Sequence, residues 1–112
     1  MSIEHRGFAH GSKSLSLDVD LETGSASVRF GTRFPRWFYR RLANETTIVF
    51  QQADQILRDL ANKKGMPITL QFDTADPKLK LWAEARKEIL GFDDVVADGL
   101  GGYRITVIKR YS

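Results

Sequence analysis

The stretch ETTIVFQQADQILRDLANKKGMPITLQF, residues 45–72, joins a helical pattern to a strand pattern. In its first part, apolar residues recur at the spacing of one helical face: Val49, Ala53, Ile56, Leu57 and Leu60. Asn44 is the expected N-cap, and Glu45 suits the first turn. The segment KKG at 63–65 supplies the basic last turn and the glycine with which helices commonly end. Three apolar residues then alternate with polar ones and predict a strand: Ile68, Leu70 and Phe72.

Upstream of this helix, apolar and polar residues alternate with the period of strands. The apolar positions before and after a turn at 22–24 are Leu15, Leu17, Val19 and Leu21, then Ala26, Val28 and Phe30. Residues 14–30 are therefore predicted to form a β-hairpin. Residues 1–13 show no period and predict a flexible N-terminal arm. His5 and His10 lie in that arm and are interpreted as solvated side chains, so no metal site is expected.

Downstream, Asp76 and Pro77 mark the start of a second helix, because aspartate caps helices and proline suits the first helical position. The predicted buried stripe of this helix comprises Leu79, Trp82, Ala83, Ile89 and Leu90. Gly91 then supplies a left-handed cap, against which Phe92 is expected to fold back.

Two more strands complete the predicted order. The segment YRITVIKRY at 103–111 predicts a closing strand, and residues 95–96 predict a short strand before it. The order β-β-α-β-α-(β)-β places helices between strands, which requires crossovers and hence a partly parallel sheet. We predict one small domain over residues 14–112, of the α/β (α+β) class, with two helices and a mixed sheet of about four to six strands.

Composition and charge are those of an ordinary globular domain. The 112 residues carry 17 basic and 14 acidic side chains, a net charge of +3, and no cysteine. Without cysteine, disulfides and thiolate metal sites are excluded, which favours a reducing compartment. No stretch resembles a signal peptide or a membrane span, and we expect a cytoplasmic protein without membrane contact.

A basic and aromatic segment, RFPRWFYRRL at 33–42, precedes the long helix. Residues 29–41 hold five arginines and no carboxylate, so a local positive field is expected. Arginines contact phosphates and exposed rings stack on unpaired bases, which favours a polyanion such as nucleic acid. The residues for that role are Arg29, Arg33, Arg36, Trp37, Tyr39, Arg40 and Arg41. In an alternative interpretation, Trp37 and Phe38 pack in the core and the arginines point outward.

From residue 25 to residue 111, the sequence resembles the second half of the GNAT acyltransferase fold. The resemblance rests on the order strand, basic turn, long helix, short strand, shorter helix and closing strand pair. It rests also on the transition from Gly65 to Ile68 and on Ala83 followed by ILGF at 89–92. The resemblance implies that acetyl-CoA lies at the start of the long helix, where unpaired N–H groups and the helix dipole favour a pyrophosphate.

The family's phosphate-binding turn corresponds to residues 41–46 here. Arg41 stands at its basic position, whereas Asn44 and Thr46 stand where the family has two small residues. The cofactor contacts that the resemblance implies are Arg41, Asn44, Glu45, Thr46 and Thr47. Many members have a tyrosine four residues before the Gly-Phe glycine, and Lys87 occupies that position here. The simpler interpretation of Lys87 is a solvated helix lysine.

Three classes of function follow from these patterns. The first is a GNAT-like domain that binds acyl-CoA and acts as an N-acetyltransferase, with no catalytic residue identified. The acids near strand ends that could serve as a base are Glu22, Asp73 and Asp76. The second class is a non-catalytic module for nucleic acid or another polyanion. The third is a small protein-interaction or inhibitor subunit, which forms a homodimer or joins a larger protein partner.

Overall fold

The computed structural model describes residues 3–32, 42–97 and 103–112. Along the chain these residues form β1 (Ile3–His10), β2 (Lys13–Asp20), β3 (Ser25–Thr32), α1 (Leu42–Lys64), β4 (Ile68–Thr74), α2 (Pro77–Ala85), β5 (Asp94–Ala97) and β6 (Ile105–Tyr111). The strands lie in one sheet in the order β1-β2-β3-β4-β6-β5. β3 and β4 are parallel, and the other neighbouring pairs are antiparallel. The predicted fold class is confirmed: a single small α+β domain with a mixed sheet and two helices.

Strand β1 corrects the prediction of a flexible arm over residues 1–13. Residues 3–10 pair with β2 along their whole length, from Ile3↔Asp20 to His10↔Lys13. Most of β1 is exposed, and Phe8 is its side chain that packs against the core. An edge strand with so little apolar contact has no hydrophobic period by which a sequence pattern could reveal it.

Both helices pack on the same face of the sheet, and the core lies between the two layers. Phe50 of α1 and Trp82 of α2 meet edge to face, with ring centroids 5.8 Å apart. On the sheet, Phe30 lies 5.5 Å from Phe72 and 5.6 Å from Trp82. Phe92, which follows α2, lies 5.2 Å from Phe50. These ring contacts connect both helices to the strands β3 and β4.

The opposite face of the sheet, here called the open face, is covered by neither helix in the described part of the chain. Side chains alternate along the strands, so residues with even and odd numbers separate onto the two faces. On β4, for example, Ile68, Leu70 and Phe72 are buried beneath the helices, whereas Thr69, Gln71 and Asp73 are exposed on the open face. The open face is therefore mainly polar.

Helix α1 has the predicted apolar stripe and the predicted end. Among the stripe residues, Val49, Ala53 and Leu57 are buried, and Ile56 and Leu60 are half-buried against the core. Lys63 and Lys64 lie in the last turn, and Gly65 follows with a φ of 63°. The predicted N-cap is wrong, because the helix already begins at Leu42 and Asn44 lies inside it.

Helix α2 starts as predicted and ends earlier than predicted. Asp76 is its N-cap, and the carboxylate accepts a hydrogen bond of 2.9 Å from the Lys78 N–H. The helix ends at Ala85, so the predicted burial of Ile89 is wrong: its exposed fraction is 83%. Beyond the helix, the chain no longer keeps the period that would carry Ile89 into the stripe.

The predicted Gly-Phe cap is confirmed in the turns that follow α2. Gly91 has a φ of 71°, and Leu90 and Phe92 on either side of it are buried. The Phe92 N–H donates a hydrogen bond of 2.9 Å to the Lys87 carbonyl. This turn places the Phe92 ring in the aromatic core.

A buried polar cluster connects α1 with β6. One carboxylate oxygen of Asp54 accepts hydrogen bonds from Lys109 Nζ at 2.6 Å and from the Tyr111 hydroxyl at 2.5 Å. Lys109 also donates to the Leu90 carbonyl at 2.7 Å, and Arg58 pairs with the other Asp54 oxygen at 2.9 Å. Burial, and then the hydrogen bond to Asp54, raise the pKa of Tyr111 well above its ordinary value of 10.0. These contacts fix the closing strand under the long helix.

Candidate ligand-binding cleft

Strands β3 and β4 are parallel neighbours that pair only where they begin. Their register within the described chain consists of Ser25↔Thr69 and Ala26↔Leu70. At this closed end, the Thr69 N–H donates a hydrogen bond of 2.8 Å to the Gly24 carbonyl. Beyond these residues the strands separate and leave a space between them, here called the β3–β4 cleft.

Main-chain hydrogen-bonding groups line both edges of the β3–β4 cleft. In a strand, the N–H and C=O groups of alternate residues point to the same neighbour. Since the Gly24 carbonyl points to β4, the main-chain groups of Val28 and Phe30 point into the cleft. On β4, the same alternation selects the Gln71 carbonyl and the main-chain groups of Asp73, because the Ala26↔Leu70 register already uses the Gln71 N–H. Unpaired strand edges of this kind can bind an extended chain that carries amide groups.

The cleft has a volume of about 570 Å³ and is mostly uncharged. Its uncharged lining residues are Ala26, Ser27, Val28, Gln71 and Phe72. Its charged lining residues are Asp18, Arg29 and Asp73. The Asp73 carboxylate accepts a hydrogen bond of 2.7 Å from the Thr106 hydroxyl. Because carboxylates outnumber the cation, this lining suits a narrow neutral segment better than a phosphate.

The starts of both helices lie near the end at which β3 and β4 separate. α2 begins at Pro77, shortly after β4 ends at Thr74. Thr47, near the start of α1, accepts a hydrogen bond of 2.9 Å from Trp82 Nε1. The Trp82 ring in turn packs against Phe30, close to the end of β3. In sheets with parallel strands, ligands bind outside the carboxyl ends of the strands, which is where this cleft opens.

Some residues that are expected to contact a cofactor at the start of α1 also make side-chain contacts within the protein. The Glu45 carboxylate accepts hydrogen bonds from the N–H, at 3.2 Å, and from the hydroxyl of Ser12 in the turn between β1 and β2. Thr46 is buried, and the Thr47 hydroxyl is bonded to Trp82. Of the described candidates, Asn44 is the exposed one.

The predicted anion contacts include main-chain N–H groups near the start of α1. The first N–H groups of a helix lack intrahelical partners, and the described part of α1 begins at Leu42, next to residues outside the described chain. Thr46 and Thr47 lie in the second turn of the described helix, and their assignment as amide donors stays a prediction. Asn44 does not adopt the positive φ that would replace a glycine turn. Arg41 lies outside the described residues, and its role stays a prediction.

Of the predicted polyanion-binding residues, Arg29 is the one within the described chain. It is exposed on the open face and lines the β3–β4 cleft. The others, Arg33, Arg36, Trp37, Tyr39, Arg40 and Arg41, fall in 33–41, outside the described residues. Their role in binding, and the alternative in which rings of this segment pack in the core, both stay predictions.

The candidates for acid or base chemistry are spread over the molecule. Asp73 lines the cleft, whereas Glu22 lies in the turn between β2 and β3 and Asp76 caps α2. Lys87 is exposed in the turns beyond α2, and its carbonyl takes part in the Gly-Phe cap. Asp73 is therefore the predicted acid that the fold brings to the cleft.

A histidine and an aspartate that the sequence analysis did not combine lie side by side at the rim of the cleft. His5 of β1 and Asp18 of β2 are register partners, and His5 Nδ1 contacts Asp18 Oδ1. Asp18 itself lines the cleft. The sequence pattern does not reveal this pair, because residues 1–13 show no strand period. Recognition of Ile3–His10 as a strand antiparallel to β2 would have aligned the two side chains.

Among residues 3–32, 42–97 and 103–112, no group of three or more His, Cys, Asp or Glu side chains is placed to hold a metal ion. Within the same ranges, neither helix combines the length and the apolar composition that a bilayer crossing requires. Comparisons with protein-family models, curated proteins and solved structures find no match to this chain.

Proposed function

We propose that this protein is a GNAT-like domain that binds acyl-CoA in the β3–β4 cleft and transfers the acyl group to an amine. The observation that carries the proposal is the early separation of two parallel strands, which leaves two unpaired edges facing each other. The element order also supports it, because β3, α1, β4, α2, β5 and β6 follow one another in the order that the resemblance implies.

The lining of the cleft suits the pantetheine arm of CoA in polarity. This arm is narrow and uncharged, and it contains amide groups that donate and accept hydrogen bonds as a strand does. The main-chain groups of Val28 and Asp73 can pair with those amides from the two sides of the cleft. Ala26 and Phe72 offer apolar contact to the methylene groups between them. The arm would thus lie between β3 and β4 as an additional extended chain.

The phosphates of CoA require cations outside the cleft, because Asp18 and Asp73 line it. The chain between β3 and α1 carries Arg33, Arg36, Arg40 and Arg41. The start of α1 adds main-chain N–H groups and the positive end of the helix dipole, which favour an anion. We therefore assign the nucleotide half of the cofactor to this connection and the acyl-pantetheine half to the cleft.

Thermal unfolding with four ligands tests this proposal and separates it from the alternatives. A ligand at about 100 times its Kd adds about 2.7 kcal/mol to the free energy of unfolding, which corresponds to an increase in Tm on the order of 10 °C for a domain of this size. Acetyl-CoA and CoA should both raise the Tm. Adenosine 3′,5′-bisphosphate, which lacks the pantetheine arm, should raise it less, and a single-stranded oligonucleotide should leave it unchanged.

Two outcomes of that series would contradict the proposal. The first is an unchanged Tm at millimolar acetyl-CoA. The second is an increase in Tm with the oligonucleotide but not with the other ligands. If that increase disappears as salt is added, it would favour the polyanion-binding module. The hypothesis of a protein-interaction subunit predicts self-association. The molar mass in solution, measured at high protein concentration, tests this prediction.

A further inference from the structure

Resting on the proposed function, we propose that His5 is the general base of acyl transfer and that Asp18 positions it. The pair lies at the rim of the β3–β4 cleft, on the open face, and accepts the proton of a cationic amine. This inference concerns the acceptor side of the reaction, which the assignment of the cofactor leaves open.

The sheet register brings the pair to the cleft. His5 lies opposite Asp18, and Asp18 lies opposite Ser27 on the next strand. Residues that are directly opposite share one face of a sheet, so all three side chains lie on the open face. Asp18 and Ser27 both line the cleft. His5 is therefore one strand away from the lining of the site.

The contact between the two side chains determines which ring nitrogen can act. His5 Nδ1 meets Asp18 Oδ1. A carboxylate oxygen only accepts hydrogen bonds, so Nδ1 carries the proton. In the neutral ring Nε2 is then unprotonated and can take a proton from an acceptor. The His5 side chain is 74% exposed, so an acceptor in solution can reach it. An aspartate that holds a histidine in this tautomer is a recurring arrangement in acyl transfer.

The charges around the pair favour a cationic acceptor. β2 is the strand that neighbours β1, and from it Asp18 and Asp20 face the same side as His5. Farther along the open face, Arg29 lies on β3 and Asp73 on β4. Arg110 and Asp94 pair with each other farther out on the same face, so three carboxylates against one guanidinium remain next to the cleft and produce a negative local potential. Such a potential attracts a protonated amine, including a polyamine.

The reaction balances with the groups named. The ammonium of the acceptor gives one proton to His5 Nε2, and the resulting amine attacks the thioester carbonyl. A bond forms between nitrogen and the acyl carbon, the carbon–sulfur bond breaks, and CoA leaves as a thiolate. The second proton, lost from nitrogen as the amide forms, ends on that thiolate, and the imidazolium returns its proton to water. The chain has no cysteine, so acyl transfer through a protein thiol plays no part.

The test uses acetyl-CoA with spermidine and follows the release of the CoA thiol with a thiol reagent, which a protein without cysteine does not itself consume. His5→Ala should lower the rate about 100-fold or more, since general-base catalysis contributes on that order. Added imidazole should restore part of this rate. His10→Ala is the matched control, because His10 lies on the same strand away from the pair, and its rate should equal that of the wild type.

Asp18→Asn provides a second variant in which the ring remains. It should lower kcat and leave the KM for acetyl-CoA unchanged. Asp20→Asn, at a carboxylate that does not contact His5, should lower kcat much less and also leave this KM unchanged. Calorimetry should show that His5→Ala binds acetyl-CoA like the wild type. A wild-type rate in His5→Ala, or a rate that imidazole does not restore, would overturn the role of His5. If the wild-type protein binds acetyl-CoA but releases no CoA thiol, the role of His5 would also be overturned, whereas the proposal that acyl-CoA binds in the cleft would stand. Absence of acetyl-CoA binding would overturn both.

Discussion

Asp54 of α1 and Lys109 of β6 form a 2.6 Å ion pair in which the two side chains are 16% and 10% exposed. Because the same lysine also bonds to the Leu90 carbonyl, one ammonium group joins the long helix, the closing strand and the end of the α2 region. The sequence places these groups far apart, and the ion pair is a consequence of the topology.

Loss of Lys109 should destabilise the protein, because Asp54 is then left without its buried counter-ion. Lys109→Met, which keeps most of the side-chain volume, should lower the free energy of unfolding by about 3 kcal/mol. Arg58→Ala removes a mostly exposed partner of the same carboxylate and should lower it by less than about 1 kcal/mol. Urea denaturation measures both variants. An equal loss of unfolding free energy in the two variants would show that burial of Lys109 does not make its ion pair with Asp54 stronger than the exposed one.

Stability should decline at high pH because of Tyr111. Its pKa is raised in the folded state, by burial first and by the Asp54 hydrogen bond second. The folded protein therefore keeps the phenol proton after the unfolded chain has released it. This contribution is complete below about pH 10 and decreases by about 1.4 kcal/mol per pH unit above it.

The variant Tyr111→Phe should remove this part of the pH dependence, although it loses the hydrogen bond at every pH. Tyr103→Phe, at a tyrosine that is 78% exposed, is the control and should retain the wild-type slope. Free energies of unfolding from about pH 9 to about pH 11 provide the comparison. Identical slopes in wild type and Tyr111→Phe would refute the assignment.

Gly24 and Gly65 test the closed end of the cleft, because both have positive φ but different surroundings. A Cβ on Gly24 would lie 2.5 Å from the Pro67 carbonyl oxygen, whereas at Gly65 no described atom lies within 4 Å. Gly65→Ala should cost about 1 kcal/mol for the left-handed backbone alone. Gly24→Ala should cost about 3 kcal/mol, since overlap with the main chain adds to the same backbone term. Similar losses in denaturation experiments would count against the close approach of residues 24 and 67.

Leu90 and Ile89 distinguish the observed end of α2 from the predicted one. Leu90 is buried, and Leu90→Ala should lower the free energy of unfolding by about 2 kcal/mol or more. Ile89 is 83% exposed, so Ile89→Ala should change it by less than about 0.5 kcal/mol. A large loss in Ile89→Ala would mean that the helix continues and buries this side chain.

Local patterns in the sequence were enough for most of the fold. The hairpin, the stripe of α1 and the glycine caps at Gly65 and Gly91 all depend on residues close together in the chain, and all are confirmed. β1 was missed because an edge strand needs main-chain pairing with β2 and little apolar burial. The predicted burial of Ile89 fails because the helical period does not continue beyond Ala85, where α2 ends.

The candidate site was less accessible to sequence reasoning than the fold. Apolar and polar residues alternate along β3 and β4 in the same way whether the two strand edges pair or separate. The sequence pattern therefore does not predict the cleft beyond Ala26. The pairing of His5 with Asp18 depends on the β1–β2 register in the same way. Asp73, named from its position near a strand end, is the acid that the fold does bring to the cleft.

The affinity of two matched variants for acetyl-CoA, measured by titration calorimetry, tests the central claim most directly. Ser27 lines the cleft, whereas Ser25 lies on the same strand and the same exposed face where β3 still pairs with β4. We predict that Ser25→Trp binds acetyl-CoA like the wild type and that Ser27→Trp binds at least about ten-fold more weakly, a loss of about 1.4 kcal/mol. Unchanged affinity in Ser27→Trp, or no binding by the wild-type protein, would contradict the assignment of acyl-CoA to the β3–β4 cleft.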